Sequence, residues 1–166
     1  TFNKGEDEAY RIVEEITLNG GTADYLQFDV LYPEQNFLQT ALNNWHLTHL
    51  YYFATSFIFS GTKGLFSTNL FRKFCDYYIS GFANTMNILI PLGLRGVFYP
   101  SSIAIDELPL NMGEYAVAKT AGEELCMFYE KRYNDIIIYK PRLPRMDTDQ
   151  TVSLFPVDNE NPVPIL

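Results

Sequence analysis

The run GVFYPSSIAI, residues 96–105, is the part of the sequence that says most about the fold. It contains no charged residue, which predicts a buried strand. A helical pattern follows from Gly113 to Tyr133, with Ala118, Leu125 and Phe128 among its apolar positions. A buried strand followed by a helix is the unit of a parallel sheet, because parallel neighbours need a crossover between them.

The same alternation of strand and helix extends along the rest of the chain. Further helices are predicted over residues 6–18, 33–45 and 68–89, and further strands over residues 23–30, 47–59 and 136–139. The segment 47–59 is dense in Tyr, Phe and Leu, as expected of a strand covered on both faces. This order predicts a doubly wound parallel α/β sheet formed by residues 1–150. Residues 151–166 contain three prolines and little periodicity, so we predict a tail or linker there.

The composition excludes several classes of partner. Twelve Lys and Arg against twenty Asp and Glu give a net charge of −8, so no basic stripe is available for nucleic acid. No apolar run is long enough for a membrane span, and the first residues do not form a signal peptide, which predicts a cytoplasmic protein. Cys75 and Cys126 are predicted to be free thiols, and His46 and His49 have no partner at metal spacing, so no metal site is expected.

Tyr115 and Lys119 are the first candidate catalytic residues. Their spacing places a phenol and an ammonium group on one face of a helix, one turn apart. A nearby cation favours the phenolate and lowers the tyrosine pKa, which makes the phenol a usable general acid or base. An exposed surface pair without a function is the alternative interpretation.

Ser102 strengthens the catalytic interpretation, because it lies at the carboxyl end of the buried strand that precedes the helix. Strand end and helix start meet at one crevice of a parallel sheet. A serine hydroxyl there is placed to hydrogen-bond a substrate oxygen while Tyr115 moves a proton.

Together these residues resemble the short-chain dehydrogenases/reductases, over nearly the whole chain up to about Thr151. The spacing of Ser102, Tyr115 and Lys119 matches the catalytic serine and the Y-x-x-x-K motif of that family. The segment 28–30, Phe-Asp-Val, is similar to the Asp-Val after the family's third strand, and residues 52–55, Tyr-Phe-Ala-Thr, fall where the family usually has Asn-Asn-Ala-Gly.

The resemblance implies a partial Rossmann-like fold and a role for each matched residue. Tyr115 would exchange a proton with the substrate oxygen, and Lys119 would lower the phenol pKa and hold the nicotinamide ribose. Ser102 would polarise the carbonyl, and its neighbour Ser101 is the residue that could be confused with it. NADP is implied with a mild preference over NAD, because Lys4 would favour a 2′-phosphate. The residues implied to contact the cofactor are Asn3, Lys4, Asp29, Val30, Ala54, Thr55, Lys119 and Thr148.

The sequence also departs from the family pattern. The family's first strand and its Gly-rich turn, which cradles the pyrophosphate, are not found in the chain, so we expect the chain alone to bind cofactor poorly. The family's catalytic asparagine in the long helix corresponds to Tyr78 here, which puts the usual proton relay in doubt.

The resemblance predicts an NAD(P)H-dependent oxidoreductase that reduces a ketone or β-ketoacyl group, free or carrier-bound, by hydride transfer. The alternatives are a non-catalytic structural or interaction domain derived from a reductase and, more narrowly, an epimerase or dehydratase that uses the same tyrosine. The expected partners are a small-molecule or carrier-bound ketone, without nucleic acid or membrane. A homodimer is expected because the two long helices, residues 68–89 and 113–133, resemble the pair that often forms a dimer in the family. The Pro-rich tail favours a place in a larger multidomain chain.

Overall fold

The structure, a computed structural model, describes residues 1–145, apart from the side chains at positions 35 and 36. Thr148 and the predicted tail over residues 151–166 lie outside the described residues.

The described chain alternates helices with short strands. In chain order the elements are α1 (Glu6–Leu18), α2 (Gln35–Leu42), β1 (His49–Tyr51), α3 (Thr68–Cys75), a π-helical turn (Asp76–Gly81), α4 (Phe82–Leu89), a 3-10 turn (Ile90–Leu92), β2 (Gly96–Phe98), β3 (Ser101–Ser102), α5 (Ala104–Glu107), α6 (Gly113–Arg132), β4 (Ile137–Tyr139) and β5 (Arg142–Leu143).

The strands form a parallel sheet, as the sequence predicts. The order is β1-β2-β4, with Leu50 beside Val97 and Val97 beside Ile138, and β3 pairs with β5 in the same parallel sense. The predicted strand over residues 23–30 is reduced to a single parallel bridge between Phe2 and Gln27. The α/β class is therefore confirmed, although the strands are shorter than the sequence suggests.

Prolines separate two pairs of short strands. Pro100 separates β2 from β3, and Pro141 separates β4 from β5, because proline has no N–H to donate to the ladder. Pairing continues around both prolines, since Ser101 N–H donates to the Pro141 carbonyl at 2.8 Å. The continuous strand predicted over residues 96–105 is wrong in this detail, and residues from Ala104 onward already belong to α5.

One face of the three-stranded sheet carries the core and the other is open. Leu50, Val97 and Ile138 point toward the helices, where Val97 and Ile138 are buried. On the opposite face Tyr51 is 65% exposed and Tyr139 65% exposed, so nothing within residues 1–145 covers them. The prediction that the strand within residues 47–59 is covered on both faces is wrong here, because its side chains alternate between a packed face and an open one.

The long helix predicted over residues 68–89 is confirmed, but it contains a π-helical turn that the sequence does not predict. Between α3 and α4 the backbone widens into the π-helical turn, and two tyrosine hydroxyl groups hydrogen-bond to its carbonyls. The Tyr52 hydroxyl donates to the carbonyl of Tyr77 at 2.7 Å, and the Tyr99 hydroxyl donates to that of Tyr78 at 3.2 Å. The helix ends at Gly93, whose φ of 106° favours glycine.

Gly122 allows α6 to approach the centre of the sheet closely. A Cβ atom at this position would lie 1.9 Å from the Tyr99 hydroxyl oxygen, and the Tyr99 side chain is fully buried. Any larger residue must therefore displace Tyr99.

We expect Gly122→Ala to lower the free energy of unfolding by about 1–3 kcal/mol, the usual range for overpacking a close-packed core. Gly113→Ala is the matched control, because a Cβ there meets only Phe66 at an ordinary 4.0 Å. Chemical denaturation of both variants and the wild type measures the difference. Equal stability of the two variants would contradict the close approach of α6 to Tyr99.

Candidate active site

A cavity of about 710 Å³ lies at the carboxyl ends of the parallel strands. Its lining comes from the segment after β1, from β3 and its flanks, and from the first turns of α6. Ser102, Tyr115 and Lys119 all line it, so the three predicted catalytic residues meet in one place. This is the edge of a parallel α/β sheet at which ligands bind.

Tyr115 lies in the first turn of α6 and is only 8% exposed. Burial raises its pKa, and a hydrogen bond with Ser102 opposes that shift. The phenol therefore keeps its proton near neutral pH, because the buried phenolate loses the hydration it would have in water.

Ser102, and not Ser101, is the serine that hydrogen-bonds with Tyr115. The Ser101 hydroxyl donates to the Glu123 carboxylate at 2.5 Å, which turns it toward α6. The Ser102 hydroxyl accepts the Ala104 N–H at 3.2 Å and hydrogen-bonds with Tyr115. Ser102 is thereby held beside the phenol by the backbone at the start of α5.

Lys119 is buried, and its amine donates to the Pro100 carbonyl at 2.6 Å. Burial lowers the pKa of Lys119 to about 7, because few partners replace the water that a charged amine loses. Its nitrogen lies 4.1 Å from the centre of the Tyr78 ring and 6.0 Å from that of the Tyr115 ring. The amine is thus itself desolvated and lies closer to the Tyr78 ring than to the Tyr115 ring, and the expectation that Lys119 lowers the pKa of Tyr115 stays a prediction.

Tyr78 is the site residue whose contacts the sequence does not reveal. Its ring stacks on Phe74 with centres 5.9 Å apart and makes an edge-to-face contact with Tyr115 with centres 5.7 Å apart. Aromatic residues at helical spacing are typical of a core, so the pattern of Phe74 and Tyr78 alone does not distinguish a core residue from a site residue. The only sequence signal is the position of Tyr78, which corresponds to the asparagine of the family resemblance.

The residues implied to contact the cofactor fall into two groups. Ala54 and Thr55 line the cavity with Lys119, and the Thr55 hydroxyl lies 2.5 Å from that of Tyr78. The cavity lining does not include the other four described residues, which are Asn3, Lys4, Asp29 and Val30.

Two of these four side chains have local structural contacts. The Asp29 carboxylate accepts the Leu31 N–H at 2.9 Å, and Val30 packs against the hydrophobic core.

Arg145 is a lining residue that the sequence did not single out, and its guanidinium lies 4.8 Å from the centre of the Phe59 ring.

The part of the chain that the structure describes offers neither a metal-ligand cluster nor a membrane-spanning helix. Among residues 1–145, no group of three or more His, Cys, Asp or Glu side chains is arranged to hold a metal ion. None of the helices in that range combines the length and apolar character needed to cross a bilayer.

The fold is that of the short-chain dehydrogenases/reductases. A short-chain dehydrogenase from Salmonella enterica serovar Typhi superposes with a TM-score of 0.79 at 15% identity, over 99% of this chain and 74% of that one. An alcohol dehydrogenase from Thermococcus sibiricus, complexed with 5-hydroxy-NADP, gives 0.75 at 17% identity over 88% of this chain and 65% of that one.

A 3-oxoacyl (acyl-carrier-protein) reductase from Agrobacterium tumefaciens with NADP bound gives a TM-score of 0.74 at 17% identity, over 90% of this chain. The chain spans 60% of that reductase and 65% of the alcohol dehydrogenase, which is less than two thirds of either. No family model and no curated protein matches the sequence.

The buried amine predicts a specific pH dependence of stability. Because the pKa of Lys119 is lowered to about 7 in the folded state, the unfolded chain binds more protons from pH 7 up to the usual lysine pKa near 10.4. The unfolding free energy of wild type minus that of Lys119→Met should therefore rise with pH between 7 and 9.5, by at most about 1.4 kcal/mol per pH unit.

Denaturant unfolding at several pH values measures this difference, and Lys131→Met, which removes an exposed amine from the same helix, serves as the control. A difference that stays constant across the window would mean that the amine keeps its proton in the folded protein.

Proposed function

We propose that this protein is an NAD(P)H-dependent oxidoreductase that reduces a ketone or β-ketoacyl group, with Tyr115 as the general acid. The observation that carries the proposal is the convergence of Ser102, Tyr115 and Lys119 on one cavity at the carboxyl ends of the parallel strands. The shared fold with NADP- and NAD-bound reductases supports the same reaction class.

The cavity suits the nicotinamide-ribose end of the cofactor. Its volume of about 710 Å³ is bordered by Ala54 and Thr55 on one side and by Lys119 on the other. When bound there, the cofactor would supply the hydride for the reduction. Lys119 would hold the ribose hydroxyl groups, and Lys4 gives NADP a mild preference over NAD.

Within this cavity Ser102 and Tyr115 would act on the carbonyl oxygen. Ser102 would donate a hydrogen bond that stabilises negative charge on that oxygen as the carbonyl is reduced. Tyr115 would then donate its proton, because an alkoxide is a stronger base than a phenolate. The raised pKa of Tyr115 favours this reductive direction, since the reverse reaction requires the phenolate.

The substrate class follows from the lining and from one structural neighbour. The cavity wall is mainly apolar, with contributions from Ile58, Phe59 and Met112, and suits a ketone with a hydrocarbon substituent. The neighbour described as a 3-oxoacyl reductase supports a β-ketoacyl group, free or carrier-bound.

We also propose residues 1–150 as the domain and residues 151–166 as a tail or linker, within a homodimer or a multidomain chain.

Tyr115→Phe tests the general acid directly. In the full-length protein we expect the rate of ketone reduction by NADPH to fall by about 10²–10⁴-fold, the usual contribution of a positioned proton donor, while NADPH affinity is retained. Steady-state oxidation of NADPH with a panel of β-ketoacyl thioesters measures the rate. Tyr129→Phe, the same change on the same helix but outside the cavity lining, is the control. Full activity of Tyr115→Phe would rule out the phenol as the acid.

A non-catalytic interaction domain is the second candidate, favoured by the open aromatic face of the sheet. Tyr51, Phe98 and Tyr139 form a continuous row on that face, with ring centres 5.9 and 5.8 Å apart. Exposed apolar surfaces of this kind are typical of protein contacts.

NADPH titration separates the two candidates. For the oxidoreductase we expect the full-length protein to quench or shift NADPH fluorescence saturably, and Thr55→Trp, which fills the cavity beside Lys119, to abolish that change. Tyr139→Ser, on the open face, is the control that should leave binding intact. Absence of binding in the wild type would favour the interaction domain.

A further inference from the structure

The Lys119 amine is surrounded by aromatic rings, and Tyr78 supplies the closest one. The nitrogen lies 4.1 Å from the centre of the Tyr78 ring, against 4.9 Å for Tyr99 and 6.0 Å for Tyr115. A cation over the face of an aromatic ring at this distance is attracted by the ring quadrupole, and more strongly where water is excluded.

We propose that Tyr78 is a positioning residue, whose ring face holds the Lys119 amine and whose edge contact fixes Tyr115 beside it. Tyr78 meets Tyr115 at 5.7 Å with ring planes 81° apart, so one side chain contacts both members of the predicted catalytic pair. The role of this pair rests on the reductase proposed above, whereas the interaction itself does not require a reaction.

The backbone and hydroxyl of Tyr78 are both fixed, as a positioning role requires. The residue lies in the π-helical turn, a feature often found at functional sites, and its carbonyl accepts the Tyr99 hydroxyl. The Thr55 hydroxyl donates to the Ser56 carbonyl at 3.0 Å, so it accepts the proton of the Tyr78 hydroxyl at 2.5 Å.

The hydroxyl of Tyr78 is therefore directed away from proton transfer. Its proton is committed to Thr55, and burial raises the pKa of Tyr78 far above neutrality. Tyr78 therefore interacts with Lys119 through its aromatic ring. At the position of the asparagine in the family resemblance, this chain has a group that acts through its π electrons and not through a hydrogen-bond relay.

The other groups around the amine are few. From α6 itself come Tyr115, Glu123 and Cys126, and from the strand side come Tyr99 and the Pro100 carbonyl. Glu123 is shared with Arg142, which donates to it at 2.8 and 3.0 Å, and Ser101 also donates to that carboxylate. The carboxylate is thus largely engaged elsewhere, which leaves the rings and one carbonyl as the immediate surroundings of the amine.

Fluorinated phenylalanines at position 78 test the proposal without changing the shape of the side chain. Tyr78→Phe keeps the ring, so Lys119 should titrate close to the wild-type pH. Tyr78→4-fluorophenylalanine and Tyr78→3,4,5-trifluorophenylalanine weaken the quadrupole stepwise, and the acid dissociation constant of Lys119 should rise stepwise, by roughly tenfold in total. The titration is followed by NMR of ¹³Cε-labelled lysine, assigned by comparison with Lys119→Met.

Phe74→3,4,5-trifluorophenylalanine is the matched control, because Phe74 packs against both Tyr78 and Tyr115 but is not one of the rings recorded over the amine. A Lys119 titration that is identical across the position-78 series, or that moves equally with the Phe74 control, would overturn the proposal. The measurement uses neither cofactor nor substrate, so its failure is distinguishable from inactivity of the protein as a reductase.

Discussion

The desolvation of one amine constrains the arrangement of the whole site. Lys119 projects from α6 into a space bounded by the Pro100 carbonyl and by tyrosine rings from three different parts of the chain. An amine placed there loses most of its hydration, so its neighbours must supply either a carbonyl dipole or a ring face. Each of these groups is held by its own contacts, which makes the site rigid around the one group that is hardest to bury.

The backbone irregularities of the fold lie next to this amine. Pro100 interrupts the strand ladder between β2 and β3, and its carbonyl, free of regular pairing, accepts the Lys119 hydrogen bond. The π-helical turn across the cavity shifts the helix locally and presents the Tyr78 ring. Each of these irregularities therefore positions a group that contacts the Lys119 amine. This agrees with the tendency of π-helical turns to occur at functional sites.

The open sheet face shows the opposite situation. Tyr51, Ile137 and Tyr139 are exposed although their strands are parallel, and parallel sheets are ordinarily covered on both faces. The buried side chains of the same strands, such as Val97 and Ile138, pack against helices α4 and α6 through the core. Helices α4 and α6 therefore pack on one face of this sheet.

The sequence by itself determined the alternation of helices and strands, the parallel class of the sheet and the meeting of Ser102, Tyr115 and Lys119. These follow from local patterns: hydrophobic periodicity, the one-turn spacing of two residues on a helix, and the rule that strand ends meet helix starts at one edge. The resemblance predicts that Ala54 and Thr55 contact the cofactor; both residues line the cavity, and the contact itself stays a prediction.

Only the tertiary structure decided which groups face one another across the cavity. The preference of the Lys119 amine for Tyr78, the choice of Ser102 over Ser101, and the raised pKa of Tyr115 all depend on contacts between residues distant in sequence. The open sheet face was also beyond sequence patterns, because an apolar strand has the same composition whether or not a helix packs on it. Burial and desolvation arise from the packing of several elements together, and no local pattern encodes them.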